Sequence, residues 1–381
     1  MGFGQLALIC AVALLGPLLS VPRALRLPVV VGELAVGVAL GSTGLRVLSA
    51  ADPTFAFLAE CGFALVMFVA GSHVPVRDPL LLKGIRKGLT RALLVALIAL
   101  AVGTLLAHVF DTPHSLLYAV LLTSSSASVV MPVLGPGPFT RRSVVEVLPQ
   151  VAVADAACIV LLPLALDPRH AARAAVGAVV VGAAAAAAWW LLRWAHTTGR
   201  QRAVHRLSEE RELAIELRLL LAVLFGLAGL AVALHVSVLL AGFGLGLAVA
   251  AVGEPRRVAK QLFAVTEGLF APIFFVWLGA SLDLRDLAHH PSGVVLGLAL
   301  GLGAVVVHGA MVLTGQPWPL AVATSAQLGV PVAAATLGTP QGLLRPGEDA
   351  AMLLGALVTI AATALVSTRL GSPARDRPPR S

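Results

Sequence analysis

The segment AVLLTSSSASVVMPVL, residues 119–134, places hydroxyl side chains and a proline in an otherwise apolar stretch. A second segment, LAVATSAQLGVPV at residues 320–332, repeats the order of apolar residues, Thr-Ser and proline. Proline removes a backbone donor and frees a carbonyl, and hydroxyls satisfy freed backbone groups or line a wet cavity. Each segment is therefore predicted to be a broken helix, although ordinary packing faces with hydroxyl cross-links are the alternative. The residues of the predicted breaks are Thr123, Ser124, Ser125 and Pro132 in the first segment and Thr324, Gly329 and Pro331 in the second.

The composition places both segments in a membrane. Hydrophobic residues make up 58% of the chain and charged residues 12%, and the mean hydropathy is +0.94. So few charges cannot cover a water-facing surface, since globular proteins carry about 25% charged residues. A helix crosses a bilayer with about 20 apolar residues, so the sequence predicts an all-α polytopic membrane protein of about thirteen transmembrane helices. The predicted spans are 4–21, 27–45, 55–75, 89–110, 115–134, 145–166, 172–194, 217–234, 236–252, 261–281, 292–314, 317–338 and 349–368.

The basic residues are distributed unequally between the two sides of the membrane. Of the 27 lysines and arginines, 22 lie in or beside alternate connections and in the C-terminal tail. This asymmetry follows the positive-inside rule and predicts an external N-terminus and a cytoplasmic C-terminus. Arginine outnumbers lysine 24 to 3, which favours a bacterial inner membrane. The asymmetry also accounts for the net charge of +8 without nucleic acid as a partner.

Residues 68–80 resemble residues 275–287, just as the two broken segments resemble each other. Both pairs are seven spans apart, and an odd offset reverses the direction of a segment across the membrane. The sequence therefore predicts two inverted six-helix repeats with crossed discontinuous helices, an organisation typical of secondary transporters. The predicted transmembrane domain, 1–368, comprises repeat one at 4–166, a linking helix and amphipathic connector at 172–216, and repeat two at 217–368, with a basic tail at 369–381.

Asp155 is the clearest acidic residue at membrane depth. An ionised side chain there costs about 2.5–3.5 kcal/mol, and no lysine or arginine lies mid-span to offset it. Asp155 therefore either holds a proton or binds a mobile cation, and this competition is what cation and proton exchange requires. A neutral aspartate bonded to a neighbouring helix is the alternative. For exchange, we expect hydroxyls and carbonyls of Thr123, Ser124, Ser125 and Thr324 to assist Asp155.

Glu33, Glu60 and His308 also lie within predicted spans and are candidate accessory proton sites. A neutral packing or capping role is equally open for the two acids, and a lone histidine on an apolar face is more often a hydrogen-bonded core residue. The cysteines lie inside spans without metal-like spacing, so no disulfide and no metal site is predicted. No catalytic constellation stands out, so neither an enzyme nor a cofactor is predicted.

Four motifs together resemble the monovalent cation:proton antiporter family 2, the sodium/hydrogen exchanger-like branch that includes Kef-type potassium efflux proteins. The resemblance implies a membrane-embedded homodimer in which a core domain moves against a dimerisation domain and carries the ion across. It places the ion site where the crossed helices meet Asp155. The motifs are Gly32–Leu45, Leu58–Gly71, Thr123–Leu134 and Pro272–Asp283.

Three positions depart from the family pattern. Ala154 stands where the family usually has a polar residue before the buried acid. His308 stands where many members have a basic residue in the eleventh span, and residues 327–330 stand where they have an Arg-Gly-Glu-like stretch. A single carboxylate favours exchange of one proton for one sodium or potassium ion. Two alternatives stay open: a proton-coupled exporter of a small organic solute, and a non-transporting membrane sensor of the same fold.

Overall fold

The described part of the chain is helical, with no strand among its residues. In the computed structural model the described residues are 1–20, 29–74, 76–77, 79–127, 129–130, 142–199, 208, 211, 213–234, 236–253, 256–282, 285 and 291–370. Predicted residues outside these ranges include Pro132, most of the connector at 196–216, and the tail from 371 onward.

The described residues form sixteen α-helices. A π-helical turn at Thr266–Phe270 joins α11 to α12, and a 3₁₀ turn at Ala310–Thr314 extends α13. The helices are α1 Phe3–Ala13, α2 Leu15–Ser20, α3 Val29–Leu40, α4 Pro53–Ser72, α5 Pro79–Val109, α6 Ser115–Thr123, α7 Arg142–Leu166, α8 Ala171–Thr197, α9 Ile215–Ala233, α10 Val238–Val252, α11 Arg256–Val265, α12 Ala271–Ser281, α13 Pro291–Gly309, α14 Trp318–Ala323, α15 Gly329–Gly338 and α16 Glu348–Leu370.

Each predicted span overlaps at least one of these helices. Eight helical stretches of the described chain are long and apolar enough to cross a membrane by length and composition. Others, such as α3 and α10, are shorter apolar helices, and the predicted span 317–338 is divided into the half-helices α14 and α15. The all-α membrane class is confirmed, whereas the number of thirteen crossings stays a prediction.

Glycines bring the backbones of α3 and α12 into direct contact. A Cβ atom added at Gly37 would lie 2.3 Å from the carbonyl oxygen of Val276 and 2.8 Å from the Cα of Gly279. In return, a Cβ at Gly279 would lie 2.2 Å from the carbonyl oxygen of Leu34. Small residues allow this close approach of helices in a membrane.

The same kind of contact joins α4 to α10. A Cβ at Gly246 would lie 2.3 Å from the carbonyl oxygen of Phe68 and 2.9 Å from the Cα of Gly71. Here the third predicted span meets the ninth, whereas at Gly37 and Gly279 the second meets the tenth. The repeat relates span two to span nine and span three to span ten. The contact between spans three and nine is therefore equivalent to the contact between spans ten and two. The packing is therefore what inverted repeats produce.

Packing divides most of the helices into two groups, which meet along an apolar surface that includes Leu34, Leu278, Leu328 and Leu353. The linking helix α8 contacts both groups. The first group contains both predicted breaks, and it consists of α5, α6, α7, α13, α14, α15 and α16. The second consists of α1, α2, α3, α4, α9, α10 and α12.

A buried ion pair fixes α5 to α7 within the first group. Arg91 is 3% exposed, and its guanidinium donates to the Glu146 carboxylate at 3.0 Å and to the Thr314 hydroxyl at 2.9 Å. Lys87 contacts the same carboxylate from the surface at 2.9 Å. The predicted span 89–110 has Arg91 at its edge, whereas in the structure Arg91 is buried within the apolar stretch Gly84–Val109 of α5.

We expect Arg91→Met to lower the free energy of unfolding by about 3 kcal/mol, because it removes the buried cationic partner of the buried Glu146 carboxylate. Lys87→Met is the matched control, since it removes an exposed partner of the same acid and should cost about 0–1 kcal/mol. Thermal unfolding of the purified protein in detergent measures both. Equal melting temperatures of the two variants would contradict this account of the pair.

Candidate functional site

Both predicted breaks are present in the described chain. Helix α6 ends at Thr123, and Ser124 continues in an extended conformation with φ −64° and ψ 146°. Helix α14 ends at Ala323, and residues 324–328 separate it from α15. Gly329 is the first residue of α15, and Pro331 lies in the first helical turn, where its missing N–H breaks no intrahelical bond. The second break therefore precedes Pro331.

The two breaks are in direct contact. The backbone N–H of Ser126 donates a hydrogen bond to the carbonyl oxygen of Ala326 at 2.7 Å. The N-terminal half-helices α6 and α14 thus end where the two non-helical segments meet. Carbonyl groups at a helix end lack intrahelical partners and carry a partial negative charge. This meeting point is therefore a polar centre inside an apolar bundle.

Asp155 lies beside this centre. It is on α7, its side chain is buried at 7% exposure, and one carboxylate oxygen accepts a hydrogen bond from the backbone N–H of Ala127 at 3.1 Å. Ala127 directly follows Ser126, so the carboxylate holds the same extended segment that contacts Ala326. Ala154, at the position where the family pattern has a polar residue, is buried at 3% exposure.

The predicted hydroxyl residues differ in their bonding. Thr123 donates to the Ala119 carbonyl at 2.8 Å, which is a bond within its own helix. Ser124 and Ser125 are each 1% exposed, and neither hydroxyl has a hydrogen-bond partner in the described structure. Buried hydroxyls without a partner are costly unless a ligand or water satisfies them. Their oxygens are suited to a small cation.

His308 contacts Thr324 at the second break. Its Nδ1 lies 3.0 Å from the Thr324 hydroxyl, which donates its own proton to the Ala321 carbonyl at 2.8 Å. The other ring nitrogen, Nε2, is buried with no hydrogen-bond partner among the described residues.

Glu33 and Glu60 belong to the second helix group and not to the crossing. Glu33 is buried on α3 at 4% exposure, and Glu60 is exposed on α4. Glu60 lines a cavity of about 460 Å³ between the two groups, together with Trp277 and Thr336. The structure thus brings Asp155, the hydroxyl residues and His308 to one region, while the two glutamates lie on other helices.

Sequence reasoning missed one contact at the second break. The Thr359 hydroxyl accepts a hydrogen bond from the backbone N–H of Gln327 at 3.1 Å. A comparison of the two repeats could have found it, because Thr359 lies on the last helix of repeat two as Asp155 lies on the last helix of repeat one. Within the described ranges, no group of histidine, cysteine and acidic residues could hold a metal ion. The three cysteines are free.

Comparisons with known proteins agree with this geometry. The chain matches the model of the family described as "Sodium/hydrogen exchanger, transmembrane" over residues 10–370. It is 22% identical over 377 residues to the putative Na⁺/H⁺ antiporter YjbQ of Bacillus subtilis (strain 168), covering 93% of this chain and 61% of that protein. It is 27% identical over 326 residues to the Na⁺/H⁺ antiporter NhaS5 of Synechocystis sp. (strain ATCC 27184 / PCC 6803 / Kazusa), covering 82% of this chain and 45% of that protein. The chain thus spans about half to three fifths of the length of these relatives.

A solved structure shares the fold. The sodium proton antiporter MjNhaP1 from Methanocaldococcus jannaschii, determined at pH 8, superposes with a TM-score of 0.67 over 97% of this chain and 99% of that one, at 17% sequence identity. The match covers nearly all of both chains, so the arrangement of helices is that of this antiporter. Together with the family match across both breaks and Asp155, this establishes that the chain belongs to the sodium/hydrogen exchanger family.

Proposed function

We propose that this protein is a secondary antiporter that exchanges sodium, or another monovalent cation, for protons at Asp155. The observation that carries the proposal is the buried Asp155 carboxylate at the contact of two broken helices. The names of the relatives, all of them Na⁺/H⁺ antiporters, favour sodium over potassium.

The exchange is a competition for one carboxylate. When Asp155 is protonated, it is neutral and leaves no charge to hold a cation. When a sodium ion enters, the proton leaves to water on the same side, and oxygens of Ser124, Ser125 and nearby backbone carbonyls complete the coordination of the ion. One proton is exchanged for one sodium ion, so the cycle moves no net charge and is insensitive to voltage.

Alternating access follows from the two helix groups. The group that carries both breaks shifts against the other along the apolar surface between them, and Asp155 moves with it from one aqueous side to the other. The cavity beside Glu60 gives water a route between the groups. Glu60, which lines this cavity, serves as an accessory proton site, as do Glu33 and His308 elsewhere in the two groups. The protein forms a homodimer with an external N-terminus and a cytoplasmic tail.

Proteoliposomes with a preset pH gradient test the proposal. External sodium should collapse the gradient in vesicles that contain the protein and should leave protein-free vesicles unchanged. A panel of lithium, sodium and potassium gives the order of preference, and a clamped voltage should not change the rate. If no monovalent cation collapses the gradient, the proposed function is wrong.

A further inference from the structure

We propose that Thr359 is a positioning residue that fixes the second broken helix against the first and thereby sets the affinity of the Asp155 site for its cation. This inference rests on the proposed function, because it concerns the same site. It assigns a role to a residue on α16 that neither touches the carboxylate nor belongs to a recognised motif.

The hydroxyl of Thr359 is fully used within the protein. Thr359 is 0% exposed, and its hydroxyl donates to the Ala356 carbonyl at 2.7 Å. Because the proton points to Ala356, the oxygen lone pairs face the backbone N–H of Gln327, which donates to them at 3.1 Å. The backbone N–H of Gln327, which has no helical partner in this buried break, is therefore satisfied by this one side chain.

Thr359 repeats the role of Asp155 in the other half of the protein. Asp155 accepts from the amide of Ala127, 28 residues earlier, and Thr359 accepts from the amide of Gln327, 32 residues earlier. Each acceptor lies on the last helix of its repeat, and each donor lies in the break of the same repeat or directly after it. The inverted repeat thus places a carboxylate on one side of the crossing and a hydroxyl on the other.

A short series of bonds connects the two acceptors. The N–H of Gln327 and the carbonyl of Ala326 belong to the same peptide group, so Thr359 fixes the orientation of that carbonyl. The carbonyl accepts the N–H of Ser126, and the next amide, that of Ala127, holds Asp155. Loss of the Thr359 bond would free the peptide group that aligns the first break beneath the carboxylate.

Substitutions of Thr359 separate the hydroxyl from the packing of the side chain. Thr359→Val keeps the volume and removes the acceptor, and we expect it to raise the KM for sodium about 2- to 10-fold, the range that one net hydrogen bond gives. The maximal rate should stay near that of the wild type, because Asp155 itself is intact. Thr359→Ser keeps the acceptor and should restore the wild-type KM.

Thr363 supplies the matched control on the same helix. It is also 0% exposed, but its hydroxyl has no hydrogen-bond partner in the described structure. Thr363→Val therefore makes the same chemical change at equal burial without loss of a bond, and it should leave the KM unchanged. If Thr359→Val does not fold, Thr359→Cys replaces it, since a thiol is a weak hydrogen-bonding group.

The experiment measures sodium-dependent proton flux in proteoliposomes and sodium-dependent thermal stabilisation in detergent for each variant. A raised KM and weaker stabilisation in Thr359→Val, with wild-type values in Thr359→Ser and Thr363→Val, support the inference. Equal values for Thr359→Val and Thr363→Val overturn it, as does a Thr359→Ser variant that is as impaired as Thr359→Val. If the wild type binds sodium but shows no proton flux, the proposed antiport is wrong. The inference is then tested by the sodium-dependent stabilisation of the variants. A wild type that neither binds nor transports sodium overturns both.

Discussion

We expect Asp155→Asn to reduce sodium-dependent proton flux to the level of protein-free vesicles. Asparagine has nearly the same shape, and its side-chain oxygen can still accept the Ala127 amide that the carboxylate accepts at 3.1 Å. It cannot release a proton or supply the negative charge that a cation needs. The variant should therefore insert, fold and melt at least as well as the wild type, because a buried ionisable group has been replaced by a neutral one. Flux in proteoliposomes and thermal unfolding in detergent measure the two effects separately.

Cys158→Ser is the matched control for this substitution. Cys158 lies one turn further along α7, it is 1% exposed, and its thiol lies 3.5 Å from the Val120 carbonyl. A serine of similar size retains that contact, so exchange should persist. If Asp155→Asn retained exchange while folded, the shared-site mechanism would have to be abandoned.

The second large effect is expected from alanine at Gly37 or Gly246, and it is a loss of stability. At Gly37 or Gly246 the new Cβ would lie 2.3 Å from a carbonyl oxygen of the facing helix, so the two backbones must separate. Overpacking of this kind costs about 1–3 kcal/mol and occasionally more. The two contacts lie on different helix pairs, so the double variant should lose close to the sum of both. Thermal unfolding and the yield of folded protein in detergent measure the loss.

Gly182→Ala is the control, since a Cβ at Gly182 meets nothing within 4 Å. Alanine is favoured over glycine in a helix by about 1 kcal/mol, so this variant should be neutral or slightly more stable. If Gly37→Ala and Gly182→Ala had the same melting temperature, the backbones of α3 and α12 would have to be further apart than the structure places them.

The breaks and Asp155 could be predicted because their residue types are rare at membrane depth. Proline, clustered hydroxyls and a lone acid all carry a free-energy cost in an apolar helix, and that cost identifies them in a sequence. The structure confirms both breaks and places Asp155 beside their contact. The interpretation of Pro331 changes, because the second break precedes that residue.

Other features carried no such signal. Thr359 is one of several threonines on α16, and its hydrogen bonds with Gln327 and Ala356 distinguish it from Thr363 only in the folded structure. The burial of Arg91 depends on Glu146, which is distant in sequence and approaches only when α5 packs on α7. The number of spans stays a prediction because short helices such as α3 and α15 are not long enough by themselves to be identified as membrane-crossing helices.

Proton release on sodium binding tests the central claim most directly. Purified protein in weakly buffered detergent solution is titrated with sodium chloride, and the released protons are counted with a pH indicator while bound sodium is measured in parallel. The account predicts one proton released for each sodium ion bound by the wild type, and none from Asp155→Asn. Sodium binding without proton release, or equal release from the variant, would contradict the account.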